Sequence, residues 1–88
     1  MKIRKQEYGN CNVVGKNIEH IRKIKGIKQK DFISKLQTMG VDINPTSYSK
    51  LEGQVRYATD LELYAIAKIL GVTIDSLFEK IDETEEIL

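Results

Sequence analysis

The sequence predicts an all-α protein, and three observations indicate this fold class. Apolar residues recur at spacings of three and four, as in amphipathic helices, and no stretch shows the strict alternation of a β-strand. Residue types that begin or end helices flank these stretches. The 88 residues are enough for one small domain, and no apolar run approaches the roughly 18 residues of a membrane span. We therefore predict five short helices in one compact bundle.

The first two predicted helices precede the residue pair Gly40-Val41. The first has Asn12 as its candidate N-cap and stops at Gly26, and its apolar stripe consists of Val14, Ile18 and Ile21. The second runs from Lys28 to Met39, and its stripe consists of Phe32, Ile33 and Leu36. Gly40 ends it, since glycine tolerates the backbone conformation that follows a helix.

The third predicted helix lies between Asn44 and Gly53. Asn44 suits the N-cap, Pro45 suits the first helical position, and Gly53 is placed where helices end in a left-handed residue. One face is formed by Ser47, Tyr48 and Leu51, since Leu51 lies four residues after Ser47 and three after Tyr48. A second face then carries short polar groups and one ammonium, from Thr46, Ser49 and Lys50.

The last two predicted helices lie in the acidic half of the chain. Thr59 and Glu62 form a capping box, and Gly71 ends the fourth helix. Its apolar stripe consists of Leu63, Ile66, Ala67 and Leu70. The fifth helix is short, starts at Thr73 and directs Leu77 and Phe78 inward.

Charge divides the chain into two halves. Residues 1–57 contain 12 Lys and Arg against 5 Asp and Glu, a net +7, whereas residues 58–88 contain 2 against 8, a net −6; the sum is +1. The basic half suits a phosphate backbone, and the bland alternative is a solvated, charge-patterned surface. We divide the chain into a basic arm (1–11), a helical domain (12–81) and an acidic tail (82–88).

Several classes of function are not supported by the sequence. The basic N-terminus has no apolar stretch after it, so we expect no secretory signal. Cys11 is the single cysteine and is interpreted as a free thiol in a reducing cytoplasm. With His20 as the one histidine, no zinc-site spacing exists, and we find no glycine-rich phosphate loop or activated nucleophile. We therefore expect no enzyme activity, metal or cofactor.

Five pieces of sequence in a fixed order resemble a known family. They are Ile21-Arg22 with Gly26-Ile27, Gln29, Ser49-Lys50-Leu51-Glu52, Leu63 with Ile66-Ala67, and Leu70-Gly71-Val72 with Ile74-Asp75 and Leu77. Together they resemble the Cro/CI-type helix-turn-helix domain, which is also called phage-repressor-like or xenobiotic-response-element-type. The resemblance covers roughly residues 14–80. It implies a lambda-repressor-like bundle in which the second and third helices form the helix-turn-helix.

The chain departs from the family pattern in three places. The connection from Gln37 to Asn44 is about five residues longer than a tight helix-turn-helix allows, so either the second helix is extended or the connection bulges. Lys28 replaces the usual Ser or Thr before Gln29. Gly53 follows Glu52 directly, whereas the common pattern is Glu-x-Gly.

The resemblance and the chemistry of nearby side chains together suggest roles for ten residues. It implies base contacts in the major groove from Pro45, Thr46, Ser49 and Lys50. Phosphate contacts are expected from Lys28, Gln29, Gln54 and Arg56. A structural ion pair is expected between Arg22 and Glu52. The alternative to DNA contact is that these residues belong to an ordinary solvent-exposed helix surface.

Two functions from different classes remain open. The first is a sequence-specific double-stranded DNA-binding regulator of prokaryotic or phage type, a repressor that binds as a homodimer. The second is a protein-interaction module on the same scaffold, with an antitoxin-type or anti-repressor-type partner. Apolar residues outside the main stripes would serve that contact or the dimer interface, namely Leu61, Tyr64, Ile69 and Ile87-Leu88.

Overall fold

The computed structural model describes residues 9–79, which form four α-helices and no β-strand. The helices are α1 (Gly15–Ile24), α2 (Gln29–Thr38), α3 (Pro45–Glu52) and α4 (Asp60–Leu70). The predicted all-α class is confirmed. Most of the predicted basic arm, the acidic tail and the apolar pair Ile87-Leu88 lie outside the described residues. No helix within residues 9–79 has the length and apolar character needed to cross a membrane.

The fifth predicted helix is a single 3₁₀ turn, Asp75–Phe78. The predicted cap was misplaced by one residue: the N-cap is Ile74, which makes no capping hydrogen bond, although the Thr73 hydroxyl accepts from the backbone N–H of Ser76 at 3.2 Å. Leu77 is buried, but 51% of Phe78 is exposed, so the prediction that Phe78 faces inward was wrong. Consecutive side chains of a 3₁₀ turn are about 120° apart around its axis, so Leu77 and Phe78 do not both face the core.

Capping residues set the starts of the two best-predicted helices. The side chain of Asn44 accepts from the Ser47 N–H at 2.7 Å, with Pro45 as the first residue of α3. Thr59 and Glu62 form both hydrogen bonds of the predicted capping box at α4. Helix α1 begins later than Asn12 suggested, with Val14 at its N-cap.

The end of α3 differs from the prediction. Gly53 has a right-handed conformation, with φ −78°, and its N–H continues the helical pattern by donating to Ser49. The left-handed residue is Gln54, with φ +62°. Gln54 therefore occupies a conformation that glycine adopts at lower cost.

The core lies between all four helices. Ring centroids of Phe32 and Tyr48 are 5.6 Å apart and join α2 to α3. The connection between these helices, residues 39–44, adds Ile43 to the core, and Gln37 holds it by donating to the Ile43 carbonyl at 2.9 Å. The extra residues before α3 therefore do not extend α2, which ends at Thr38, but lengthen the connection between α2 and α3.

Candidate nucleic-acid interface

Helix α3 has one exposed face and one buried face. The four residues predicted to contact bases, Pro45, Thr46, Ser49 and Lys50, are all exposed. Tyr48, Leu51 and Glu52 are buried. The exposed face offers two hydroxyls, an ammonium and the apolar ring of Pro45, which together can donate, accept and make apolar contacts.

An ion pair fixes the C-terminal end of α3 to α1. Arg22 Nε donates to Glu52 Oε2 at 2.7 Å, and Arg22 Nη2 donates to Glu52 Oε1 at 3.1 Å. The third nitrogen, Nη1, donates to the Ile27 carbonyl at 2.7 Å. The pair expected between Arg22 and Glu52 is thus present, and both side chains are at least 93% buried.

Tyr48 completes this buried group from within α3. Its hydroxyl donates to Glu52 Oε2, one helical turn away. Burial, together with the charge of Glu52, raises the pKa of Tyr48 far above its ordinary value, and the hydrogen bond to Glu52 raises the pKa of Arg22. Tyr48 therefore stays protonated and Arg22 stays charged, so this attachment of α3 persists over the physiological pH range.

Gln29 connects the start of α2 to α3. Its Nε2 donates to Glu52 Oε1 at 3.2 Å, and its Oε1 accepts from the Ser49 hydroxyl at 3.4 Å. The exposed N-cap residue Lys28 precedes it. The structure therefore brings the predicted phosphate residue Gln29 beside the predicted base-contacting residue Ser49, with Lys28 next to Gln29 in the chain.

Arg56 lies in a different environment from the one its predicted role suggested. Its Nε donates to the Ser47 carbonyl at 2.9 Å, and its two terminal nitrogens donate to the Glu62 carboxylate at 3.0 and 2.8 Å. Burial would raise the pKa of Glu62, but the hydrogen bonds from Arg56 and Thr59 outweigh burial and lower it. Arg56 thus ties α3 to the start of α4, and its charge is offset by Glu62.

Asn12 is the residue whose role the sequence least revealed. Its Nδ2 donates to the carbonyls of Leu51 and Arg56 at 3.2 and 2.8 Å, and its Oδ1 accepts from the Gly15 N–H at 2.8 Å. Its own carbonyl accepts from Gln54 Nε2 at 2.8 Å. An asparagine before a helix predicts an N-cap. Asn12 does bond the Gly15 N–H, but its other three hydrogen bonds hold residues at or just after the end of α3.

Gly15 lies in the closest backbone approach between α1 and α3. A Cβ at Gly15 would lie 2.2 Å from the Leu51 carbonyl oxygen and 2.7 Å from that of Glu52. Only glycine fits this contact, since real Cβ atoms do not approach so closely. With Asn12 and Arg22, Gly15 makes α1 the support that positions α3.

Unpaired positive charge is concentrated on the first three helices and their loops. Among the described residues, six lysines are exposed and make no ion pair. Five of them, Lys25, Lys28, Lys30, Lys35 and Lys50, lie on the first three helices or their loops, and the sixth, Lys68, lies on α4. In the second half of the described chain, Asp60, Asp75 and Glu79 are exposed. The separation of basic and acidic residues seen in the sequence is therefore also present among the exposed side chains, which a partner can contact.

No protein-family model, curated protein or solved structure matches this chain. Within residues 9–79, no group of His, Cys, Asp or Glu is arranged to hold a metal ion. Pro45, Thr46, Ser49 and Lys50, flanked by Lys28 and Gln29, form the candidate interface.

Proposed function

We propose that this chain is a sequence-specific double-stranded DNA-binding protein and that α2 and α3 act as its helix-turn-helix. In this proposal α3 enters the major groove, and the protein regulates transcription, as a repressor. The main support is the exposed face of α3, whose hydrogen-bonding side chains are presented by a helix that is fixed on its other face. A rigid element with exposed polar side chains is what reading base edges requires.

The chemistry of the exposed residues suggests their roles on DNA. Lys50 would donate to guanine O6 or N7, and Thr46 would donate, accept or place its methyl group on a thymine methyl. Ser49 is held by Gln29 and would contact a base or a sugar-phosphate oxygen beside it. Pro45 lacks a backbone N–H and would make an apolar contact.

Phosphate contacts fall to the start of α2 in this proposal. Lys28 and Gln29 flank the exposed face of α3, and neither contributes to sequence discrimination directly. Gln54 and Arg56 remain predicted phosphate contacts, although both side chains also hold the protein together. We expect them to matter more for the position of α3 than for neutralising phosphate charge.

Selection from random double-stranded DNA at low salt tests the proposal. The full chain should enrich a defined sequence and bind it far more tightly than random duplex. The double variant Thr46→Ala/Lys50→Ala should fold as the original chain does, keep weak binding to random duplex and lose the preference. The proposal fails if no sequence enriches, or if the double variant keeps the same preference.

A protein-binding role is the second candidate function. It is favoured by exposed apolar side chains on α4 and at the end of α2, including Leu61, Tyr64 and Met39. These residues are separate from the exposed face of α3. The two functions are therefore compatible in one molecule.

A further inference from the structure

The buried carboxylate of Glu52 fixes the orientation of the side chains around it. Its Oε2 accepts from Arg22 Nε at 2.7 Å and from the Tyr48 hydroxyl. Its Oε1 accepts from Arg22 Nη2 at 3.1 Å and from Gln29 Nε2 at 3.2 Å. A carboxylate in an ion pair has no hydrogen to donate. Every polar group that faces Glu52 must therefore be a hydrogen-bond donor.

Gln29 transmits this constraint to the exposed face of α3. Its side-chain amide has one end that donates and one end that accepts. Turning the amide over would place two acceptors together, Gln29 Oε1 and Glu52 Oε1, so the donating end must face Glu52. The accepting oxygen, Oε1, is then the atom that lies 3.4 Å from the Ser49 hydroxyl. Glu52 therefore determines which end of Gln29 is presented to Ser49.

Ser49 is left with hydrogen-bond acceptors alone on its outer side. A serine hydroxyl has one hydrogen and two lone pairs, and Gln29 Oε1 can use the hydrogen but not the lone pairs. Within residues 9–79, the Ser49 hydroxyl makes no other hydrogen bond, and the residue is exposed. Toward a partner, Ser49 therefore accepts a hydrogen bond, although serine in general can also donate one.

We propose that Ser49 accepts a hydrogen bond from the amino group of a base, adenine N6 or cytosine N4, and that Gln29 sets this direction. The inference rests on the proposed function, because it requires α3 to lie in the major groove. The amino groups of adenine and cytosine are the donors of that groove, whereas guanine O6 and N7, thymine O4 and phosphate oxygens accept. Since each base pair carries its amino group on one strand, Ser49 distinguishes a base pair from its reversed form.

Gln29 is a positioning residue in this proposal, because it acts on the base through Ser49. Its Nε2 carries two hydrogens, and Glu52 uses one of them. The second hydrogen can be donated to a phosphate oxygen beside the start of α2. The predicted phosphate contact of Gln29 and its effect on Ser49 are therefore compatible.

A cycle that combines protein variants with modified bases tests the direction of the hydrogen bond. In the selected sequence, the base pair that Ser49 contacts is the position whose preference disappears in Ser49→Ala. Replacing adenine by purine, or cytosine by 2-pyrimidinone, removes the amino group of that pair. This loss should weaken binding of the original chain about five- to tenfold more than binding of Ser49→Ala, as expected for one hydrogen bond.

Removing the keto oxygen of the same base pair is the matched control on the DNA side. Replacing guanine by 2-aminopurine, or thymine by 5-methyl-2-pyrimidinone, removes this oxygen. The change should weaken the original chain and Ser49→Ala alike, because Ser49 donates no hydrogen to it. Fluorescence anisotropy measures all of these affinities.

Gln29→Met tests the positioning role. Methionine has a similar size but makes neither hydrogen bond, so the Ser49 hydroxyl becomes able to donate as well as accept. Reversing the contacted base pair should weaken binding of the original chain by about tenfold, and of this variant by about threefold or less. Lys28→Met, at the neighbouring position, should weaken binding to all sequences and keep the original discrimination. Circular dichroism melts should show that both variants are folded.

The possible results separate this inference from the proposed function. A chain that enriches no DNA sequence would end both. A selected sequence in which Ser49 is coupled to the keto oxygen, or to no group of a base, would overturn this inference and leave the proposed function standing. A Gln29→Met variant that discriminates as strongly as the original chain would overturn it in the same way.

Discussion

At the scale of single residues, Glu62 is a buried acid whose carboxylate accepts hydrogen bonds from one side chain and from one backbone group. Arg56 donates to both oxygens, and the backbone N–H of Thr59 donates to Oε1 at 3.0 Å. These bonds hold the pKa of Glu62 below its ordinary value despite burial. A carboxyl with a lowered pKa in the folded state stabilises the fold above its unfolded pKa, and that stabilisation is lost as the pH falls through the folded pKa.

Glu62→Gln should therefore lower the free energy of unfolding and make that free energy less dependent on pH. We expect a loss of about 1–3 kcal/mol at pH 7, because Arg56 loses its charged acceptor. Between pH 5 and pH 3, roughly spanning the ordinary carboxyl range, the original chain should lose more stability than the variant. Urea unfolding across this range measures both effects, and Asp75→Asn, an exposed acid, is the control. An unchanged pH dependence in Glu62→Gln would contradict this account.

The roles of Arg56 and Gln54 show what could not be predicted from the sequence. Both follow α3 and carry polar side chains, so the sequence suggests phosphate contacts, and these stay predictions. Their partners within the protein, Glu62 and Asn12, are separated from them by 6 and 42 residues and could not be predicted. Such contacts depend on how the loop after α3 folds back, which spacing along the chain does not specify.

Gln54 provides a direct test of the backbone at the end of α3. Gln54→Ala loses the hydrogen bond to Asn12 but keeps a side chain at φ +62°. Gln54→Gly loses the same bond and adopts this φ without strain. We expect the glycine variant to be more stable than the alanine variant by about 1 kcal/mol. Chemical denaturation of both variants measures this difference in stability. Equal or reversed stabilities would show that the left-handed conformation has no energetic cost.

At the scale of helices, α3 is held mainly near its C-terminal end. Asn12, Gly15 and Arg22 all act there from α1 or its approach, and Gln29 adds a contact from α2. The N-terminal end follows the long connection and is fixed by the Asn44 cap and by Arg56. Helix α1 therefore controls the direction in which the exposed face of α3 points.

Gly15→Ala should disturb this support. The added Cβ would overlap the carbonyl oxygens of Leu51 and Glu52, so α1 and α3 must separate, at a cost of about 1–3 kcal/mol. Amide chemical shifts should change at the end of α3. Gly26→Ala is the matched control, because its Cβ would meet nothing within 4 Å and its cost comes only from φ +72°. Its shifts should stay near residue 26, and shifts in α3 of similar size would contradict the steric explanation.

The helices were predicted with different success for identifiable reasons. Asn44, Pro45, Thr59 and Glu62 are local signals, and the starts of α3 and α4 followed from them. The last element was overestimated because it is a turn of four residues, of which only Leu77 is buried. The left-handed position was misplaced by one residue because a glycine at 53 suggested it, whereas the chain reaches that conformation at Gln54.

At the scale of the whole molecule, exposed charges separate along the chain. Of the six exposed lysines without an ion pair in the described segment, five lie between the end of α1 and α3 and only Lys68 lies on α4, whereas the second half exposes Asp60, Asp75 and Glu79. Such a division orients a protein toward a polyanion before any specific contact forms. The acidic side is then directed away from the phosphates, which agrees with the proposed use of α3.

Lys28→Ala tests this orientation through salt dependence. Each phosphate contact releases counterion, so one lost contact should reduce the slope of log K against log salt concentration by about 0.9. Affinity should fall for all sequences alike, because Lys28 contacts no base in the proposal. Lys68→Ala removes the same charge from α4 and should leave the slope unchanged on a duplex too short for two copies. Fluorescence anisotropy over a range of salt concentrations measures both slopes. Equal reductions in the two variants would mean that net charge, rather than the face beside α3, determines binding.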